Sequence, residues 1–353
     1  MMNPIKVLVV DDSAFMRQMI KQMLTTDPEI EVVGVAVNGR DALKKIQVYN
    51  PQVITLDLEM PEMDGLQFLA ELMRVNPLPV VVVSSLAVKG GEQTFHALQL
   101  GAVDFITKPD AKPSKEIWSI QEELILKVKA AASVSPEQIK NLPSPAAVES
   151  IPFHPEIKKG VVAIGASTGG PRALSFLIAN LPKDFPWGII IAQHLPKEFV
   201  YSFASRLDSI SLLKVKVAED GEEVLPGKVL IAPSGLQTGV IRKGEKYLIK
   251  LAESTALYRP SADYLFNSVA ENFGAQSIGV LLTGMGADGA YGLKMMRKAG
   301  SITIAESPET CVIYGMPRAA VEIGAASLQL PLTAIPKRLS MLLQEKASEL
   351  KNQ

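Results

Sequence analysis

The chain has 353 residues, 47% of them hydrophobic and 21% charged, enough for two domains that each bury a core. Thirty-six basic against 37 acidic residues leave a formal charge of -1, and there is no helix-turn-helix or basic arm, so a nucleic-acid partner is excluded. No apolar run approaches the roughly 20 residues of a bilayer span and the N-terminus lacks a signal-peptide core, so no membrane insertion and a cytoplasmic location are expected.

In chain order, Lys6 to Val10 forms a predicted strand ending in Asp11-Asp12, followed by Ser13 and an amphipathic helix through Met16, Ile20 and Leu24. A strand over 32–37, a helix over 41–48 and a strand over 53–56 follow, the last delivering Asp57 into a loop that runs to Gly65. A strand over 80–83 ends in Ser84-Ser85, and after a helix near 92–100 a fifth strand, 103–107, ends in Lys108-Pro109. Strands alternating with helices imply a parallel sheet covered on both faces, with polar groups at the strand ends converging at its switch point. Asp11, Asp12 and Asp57 together call for a hard cation such as Mg²⁺, and Ser84 with Lys108 for an added anion, a phosphoryl group on Asp57.

After a helix ending near Ala132, residues 133–155 carry Pro136, Pro143, Pro145, Pro152 and Pro155 and read as an extended, semi-rigid spacer, with a short helix at Glu137 to Asn141 as the alternative for its start. His154 is read as part of that spacer.

Beyond it, the apolar run Val161 to Ala166 meets Ser167-Thr168-Gly169-Gly170-Pro171. Glycines permit a tight turn there and Pro171 suits a first helical turn, with Ala173-Leu174 and Leu177-Ile178 as the apolar face. Ser167 is a candidate nucleophile at a helix N-terminus, where backbone N–H groups favour a forming anion. The G-x-S-x-G match is short, and a capped turn or a phosphate-cradling loop are its competitors. The phosphate loop is the weaker of these, because the strand over 188–192 ends in Gln193-His194 where an acid is needed. Shorter strands are expected over 214–218, 228–232 and 247–251. An apolar strand over 277–283 precedes Gly284-Met285-Gly286-Ala287-Asp288-Gly289, where Asp288 has the alternative role of capping the following helix. Ser167, His194 and Asp288 each stand just past a buried strand, as a nucleophile, a base and its orienting carboxylate require, in an order unlike that of α/β-hydrolases. Cys311, the only cysteine, reads as a buried, inert thiol.

Two family resemblances rest on these residues. Asp11-Asp12-Ser13, Asp57 before Met60-Pro61 and Met63-Asp64-Gly65, Ser84-Ser85 and Lys108-Pro109 resemble the receiver domain of two-component response regulators. That resemblance implies a flavodoxin-like (βα)5 domain over 1–125, with Asp57 as phosphoacceptor and Asp12, Asp57 and the Glu59 carbonyl as Mg²⁺ ligands. It also implies Asp11 acting through water, Lys108 holding the phosphoryl group, Ser84 and Phe105 as a switch pair, and a histidine kinase as phosphodonor.

Gly165 to Pro171, Gln193-His194, Arg259-Pro260-Ser261 with Asp263, Thr283 to Gly289 and Tyr314-Gly315-Met316-Pro317 resemble the chemotaxis protein-glutamate methylesterases. A linker over 126–157 and a three-layer α/β/α domain with a mainly parallel sheet over 158–353 are then expected. The resemblance implies Ser167, His194 and Asp288 as triad, the Met285 N–H in an oxyanion hole, Thr168 beside the nucleophile, and no cofactor for the ester reaction. Its substrates would be γ-glutamyl methyl esters on the cytoplasmic helices of chemoreceptors. Glutamine deamidation as main activity, or a non-catalytic binding domain behind the receiver, are the alternative readings.

Overall fold

Five short runs in the first part of the chain become strands, four of them with mostly buried side chains and the one over Ile30–Ala36 only half-buried, the signature of a parallel sheet packed on both faces. The computed structural model describes residues 3–84, 88–108, 115–140 and 160–351. Ser85, Pro109 and residues 141–159, with His154, lie outside the described residues. Two compact units divide at Leu142/Pro143.

The first unit runs β1 (Ile5–Val10), α1 (Ala14–Leu24), β2 (Ile30–Ala36), α2 (Gly39–Tyr49), β3 (Val53–Leu56), α3 (Gly65–Val75), β4 (Val80–Ser84), α4 (Val88–Leu100) and β5 (Asp104–Thr107). The sheet order is β2-β1-β3-β4-β5, parallel throughout, so the chain reverses its direction of travel between β1 and β3. Asp11 and Asp57 leave the ends of those two strands and therefore face one crevice.

Local chemistry starts the helices. The Ser13 hydroxyl accepts from the Met16 N–H at the head of α1, and Asp64 with Gln67 forms a capping box that starts α3 where the sequence reading continues a loop only to Gly65.

Next come α5 (Gln121–Ala132) and α6 (Pro136–Lys140). The boundary expected at residue 125 falls inside α5, whose Val128 and Ala131 are buried. The proline-rich stretch does not begin as a free spacer either: Val134 and Ile139 are buried, and Ile139 lies near Gly101. Two apolar side chains are enough to dock the first turn of a segment whose composition reads as extended.

The second unit is ordered β6 (Val161–Ala166), α7 (Gly170–Ala179), β7 (Gly188–Gln193), α8 (Val200–Ile210), β8 (Lys214–Val217), β9 (Lys228–Ile231), β10 (Gln237–Lys243) and β11 (Lys246–Ala252). It continues with α9 (Ala262–Phe273), β12 (Ser277–Leu281), α10 (Ala290–Lys298), β13 (Ile302–Glu306), α11 (Met316–Glu322), β14 (Leu328–Leu330) and α12 (Ile335–Lys351). Seven strands form a parallel sheet in the order β14-β13-β12-β6-β7-β9-β8.

Val161 and Ala163 of β6 join a cluster with Phe266, Leu293 and Met296, while the alternating Val162 and Ile164 are equally buried on the opposite face. Each fully buried Val or Ile side chain of this strand contributes about 1.5–3 kcal/mol. Among the described residues the antiparallel strand pair is the β10–β11 hairpin. Its Val240 and Ile249 enter the same cluster, and the Tyr247 ring stacks on Phe273 at 3.8 Å.

Candidate active site

Strand β6 lies between β7 and β12, so the residues that follow these three adjacent strands emerge together. The Ser167 N–H donates to the Thr283 carbonyl at 3.0 Å, and the Gln193 amide donates to the Ser167 carbonyl at 3.0 Å. The turn behind Ser167 needs Gly169, whose φ is +76°, and Gly284 must lack a Cβ because one there would strike the Met316 sulfur and the Ser167 Cβ. Helix α7 begins at Gly170 as its Pro171 and apolar face predict, with Ala173, Leu174, Leu177 and Ile178 buried.

Ser167 Oγ lies 3.1 Å from His194 Nδ1, and His194 Nε2 lies 2.8 Å from Asp288 Oδ2. The carboxylate places the ring proton on Nε2 and leaves the Nδ1 lone pair facing the hydroxyl, the reverse of the usual serine-protease tautomer. Asp288 does not cap α10. It accepts from the Ala262 N–H at 2.7 Å, the Asp263 N–H at 3.2 Å and the Ser261 hydroxyl at 2.7 Å, all at the head of α9. Burial raises the pKa of its carboxyl, but the bonds from His194, Ser261 and Ala262 outweigh burial and hold it below the ordinary carboxylate value. Asp288 is therefore anionic at neutral pH.

Thr168 is buried beside the nucleophile, its carbonyl taking a bond from Thr283 Oγ1 at 2.9 Å. Met285 follows Gly284, whose N–H is taken by the Ile313 carbonyl at 3.0 Å. Behind this loop stands a residue that the sequence reading does not single out. Glu306, fully buried at the end of β13, accepts from the Thr283 N–H at 2.8 Å and the Thr310 hydroxyl at 2.9 Å. Burial pushes its carboxyl up to about 7. Cys311, beside it, is buried and its thiol is pushed upward by the same cause, as an inert thiol requires.

Gln237 is likewise missed, and Ser261 stands in the sequence only within the Arg259-Pro260-Ser261 motif, with no role assigned to it. Ser261 is legible as an N-cap, since its hydroxyl accepts from the Tyr264 N–H, but its bond to Asp288 spans 27 positions and leaves no local trace.

In the first unit, one ligand oxygen each from Asp11, Asp12 and Asp57 lie within 4.8 Å of one another. Lys108 Nζ is 2.9 Å from Asp11 and 2.6 Å from Asp57. Burial lowers the Lys108 pKa, yet the two carboxylates more than offset it and raise it. Burial, aided by the charge of Asp57, raises Asp11 despite the nearby lysine. Three crowded carboxylates sharing one cation suit a hard divalent ion, so the donor set fits Mg²⁺. Glu59 is exposed on the following loop, its N–H 3.3 Å from Asp57 Oδ1. Ser84 is buried and accepts from the Thr94 hydroxyl at 2.8 Å. Phe105 is buried edge-on to Phe95, with Lys127 Nζ 5.4 Å from its ring.

Residues 162–339 match the CheB methylesterase family and residues 7–115 match the response regulator receiver domain. A relative from Symbiobacterium thermophilum, named protein-glutamate methylesterase/protein-glutamine glutaminase, is 43% identical over 97% of this chain and 98% of its own. The chain belongs to the CheB methylesterase family. A Bacillus subtilis relative of the same name is 45% identical over 91% of this chain and 93% of its own. The CheB methylesterase catalytic domain of Thermotoga maritima, 45% identical, superposes with a TM-score of 0.52 over 53% of this chain and 100% of that one. As a member of the CheB methylesterases the protein is a carboxylic ester hydrolase with a receiver domain, which sets aside the non-catalytic output domain. No helix among the described residues is long and apolar enough to cross a membrane.

Proposed function

We propose that the second unit hydrolyses γ-glutamyl methyl esters of chemoreceptors with Ser167 as nucleophile, His194 as base and Asp288 as its orienting carboxylate. The observation that carries this reading is the continuous relay from Ser167 Oγ through both ring nitrogens of His194 to a carboxylate that is itself fully engaged. His194 Nδ1 takes the hydroxyl proton as Ser167 Oγ attacks the ester carbonyl. Asp288 steadies the imidazolium, and the same proton passes to the departing methoxide, so methanol leaves and an acyl-serine remains. Water, activated by the same imidazole, then frees the glutamate and restores Ser167.

The Met285 N–H is assigned to the oxyanion. A donor so placed is worth roughly 3–4 kcal/mol. A γ-carboxamide is attacked by the same groups with release of ammonia, in keeping with the double name of the relatives. Ser167→Ala is expected to lower methanol release from methylated receptor by about 10³-fold or more, measured per mole of full-length protein. Retention of parental activity rules out this assignment.

The first unit is proposed as the control element, with Asp57 accepting a phosphoryl group from a histidine kinase. Asp11, Asp12, Asp57 and the Glu59 carbonyl would hold Mg²⁺, which when bound shields the charge of carboxylate and phosphoryl group from each other. Lys108 supplies a fixed positive charge beside Asp57, and Ser84 with Phe105 is the pair that responds. The receiver extends through α6, and only the proline-bearing residues after it serve as connection. Asp57→Asn is expected to remove all stimulation of ester hydrolysis by acetyl phosphate. Stimulation that persists in this variant removes Asp57 from the control path.

A further inference from the structure

Two in-plane hydrogen bonds hold the His194 imidazole by its edges, to Ser167 and Asp288, and leave tilt about the line joining those partners as its softest freedom. One flat face of the ring is covered by Tyr258, with centroids 4.6 Å apart and planes within 2° of parallel. Tyr258 is 38% exposed.

It is not a loosely hung surface residue. Its carbonyl accepts from Gln237 Nε2 at 2.8 Å, and the oxygen of that same amide accepts from the Ser261 N–H at 2.9 Å. Gln237 is buried, and Ser261 is the residue whose hydroxyl holds Asp288. One amide thus fixes the backbone under the stacking ring and the clamp on the carboxylate together. At the far end of the ring the hydroxyl stands beside Gly286, where an added Cβ would come within 3.4 Å of it, so Tyr258 reaches from the base to the loop that carries Met285.

A tyrosine face attracts a cation and keeps water from it. An imidazole that gains a proton from a hydroxyl becomes such a cation at the moment when its orientation matters most.

We infer that Tyr258 is a positioning residue, which holds the His194 ring flat between Ser167 and Asp288 during proton transfer. The inference rests on the triad reading above. It is tested on the full-length protein by methanol release from methylated receptor, with Tyr258→Phe, Tyr258→Leu and Ser167→Ala compared and each variant's unfolding midpoint checked against the parent. Tyr258→Leu is expected to lower kcat about tenfold with KM within about twofold, and Tyr258→Phe to restore kcat to within about twofold of the parent. Parental kcat in Tyr258→Leu overturns the inference, as does an effect confined to KM, or equal loss in Phe and Leu. Activity retained by Ser167→Ala is the separate outcome that removes the triad, whereas an inactive Ser167→Ala with an unaffected Tyr258→Leu removes only the positioning role.

Discussion

The two units place carboxylates at the same kind of location, the C-terminal edge of a parallel sheet, and then treat them oppositely. Asp288 accepts from one imidazole, one hydroxyl and two backbone N–H groups, so its oxygens have no lone pair to spare for an electrophile. Asp57 has Lys108 on one oxygen and, on the other, a 3.3 Å approach from the Glu59 N–H. In the roles proposed, a saturated carboxylate orients, and one that meets a single lysine and one backbone N–H keeps lone pairs for a phosphoryl group. What separates the two roles is the number of donors arriving from elsewhere in the fold, and neither the residue type nor the strand end decides it.

The strongest way to break this contrast is Asp288→Asn. An amide at 288 presents an N–H to His194 or loses the donors from α9, and the Nε2–H tautomer is no longer enforced. The expected loss is about 10⁴-fold in kcat for ester hydrolysis with the fold retained, read from initial rates beside the far-ultraviolet spectrum. A loss under tenfold means that Asp288 is not the orienting group.

Glu306 supplies a third case, a carboxyl with donors but no cation, and its effect is on stability. In the unfolded chain it titrates near 4.5, and in the fold near 7. Because the folded state binds the extra proton between those values, this contribution is complete below the lower one and is lost as pH rises to the upper one, by about 3 kcal/mol. Urea unfolding at pH 5 and pH 8 should show the parent losing that much more stability over the interval than Glu306→Gln. Identical pH dependence in the two proteins removes Glu306 as the titrating group.

The smallest effect sharpens the donor argument. Ser261→Ala removes one of the four donors to Asp288 and the hydroxyl cap of α9, with kcat expected to fall about tenfold and stability by about 1 kcal/mol. The measurements are steady-state rates and a denaturant midpoint on the same preparation, and unchanged values for both show that three donors suffice.

Much of this was legible because the strand ends announce themselves. Apolar runs ending in Asp11, Asp57, Ser84 and Lys108, and in Ser167 and His194, mark both the strands and the polar residues that leave them, since a buried parallel strand is apolar along most of its length. The supporting residues were not legible for the opposite reason. Gln237 sits at the start of a hairpin strand that the sequence reading does not contain, and it joins Tyr258 to Ser261 across separations of 21 and 24 positions. Glu306 ends a strand that also goes unread, and it meets Thr283 across 23 positions. Periodicity reports which face a residue occupies; it carries nothing about which distant backbone will need an acceptor there. The docking of Val134 and Ile139 escaped for a related reason, because composition averages over a segment and two buried side chains do not change the average.

The relay's longest link, from His194 to Asp288, closes a loop of 94 residues. Synthesis proceeds from the N-terminus and domains fold as units in that order. Every element of the first unit has been synthesised by Leu142, whereas the second unit cannot bring Asp288 to His194 until the chain has passed Asp288 and β12 has paired with β6. The order of the two halves along the gene therefore sets an order in time: a newborn chain completes the unit that bears Asp57, the proposed phosphoacceptor, before the proposed Ser167-His194-Asp288 relay can form.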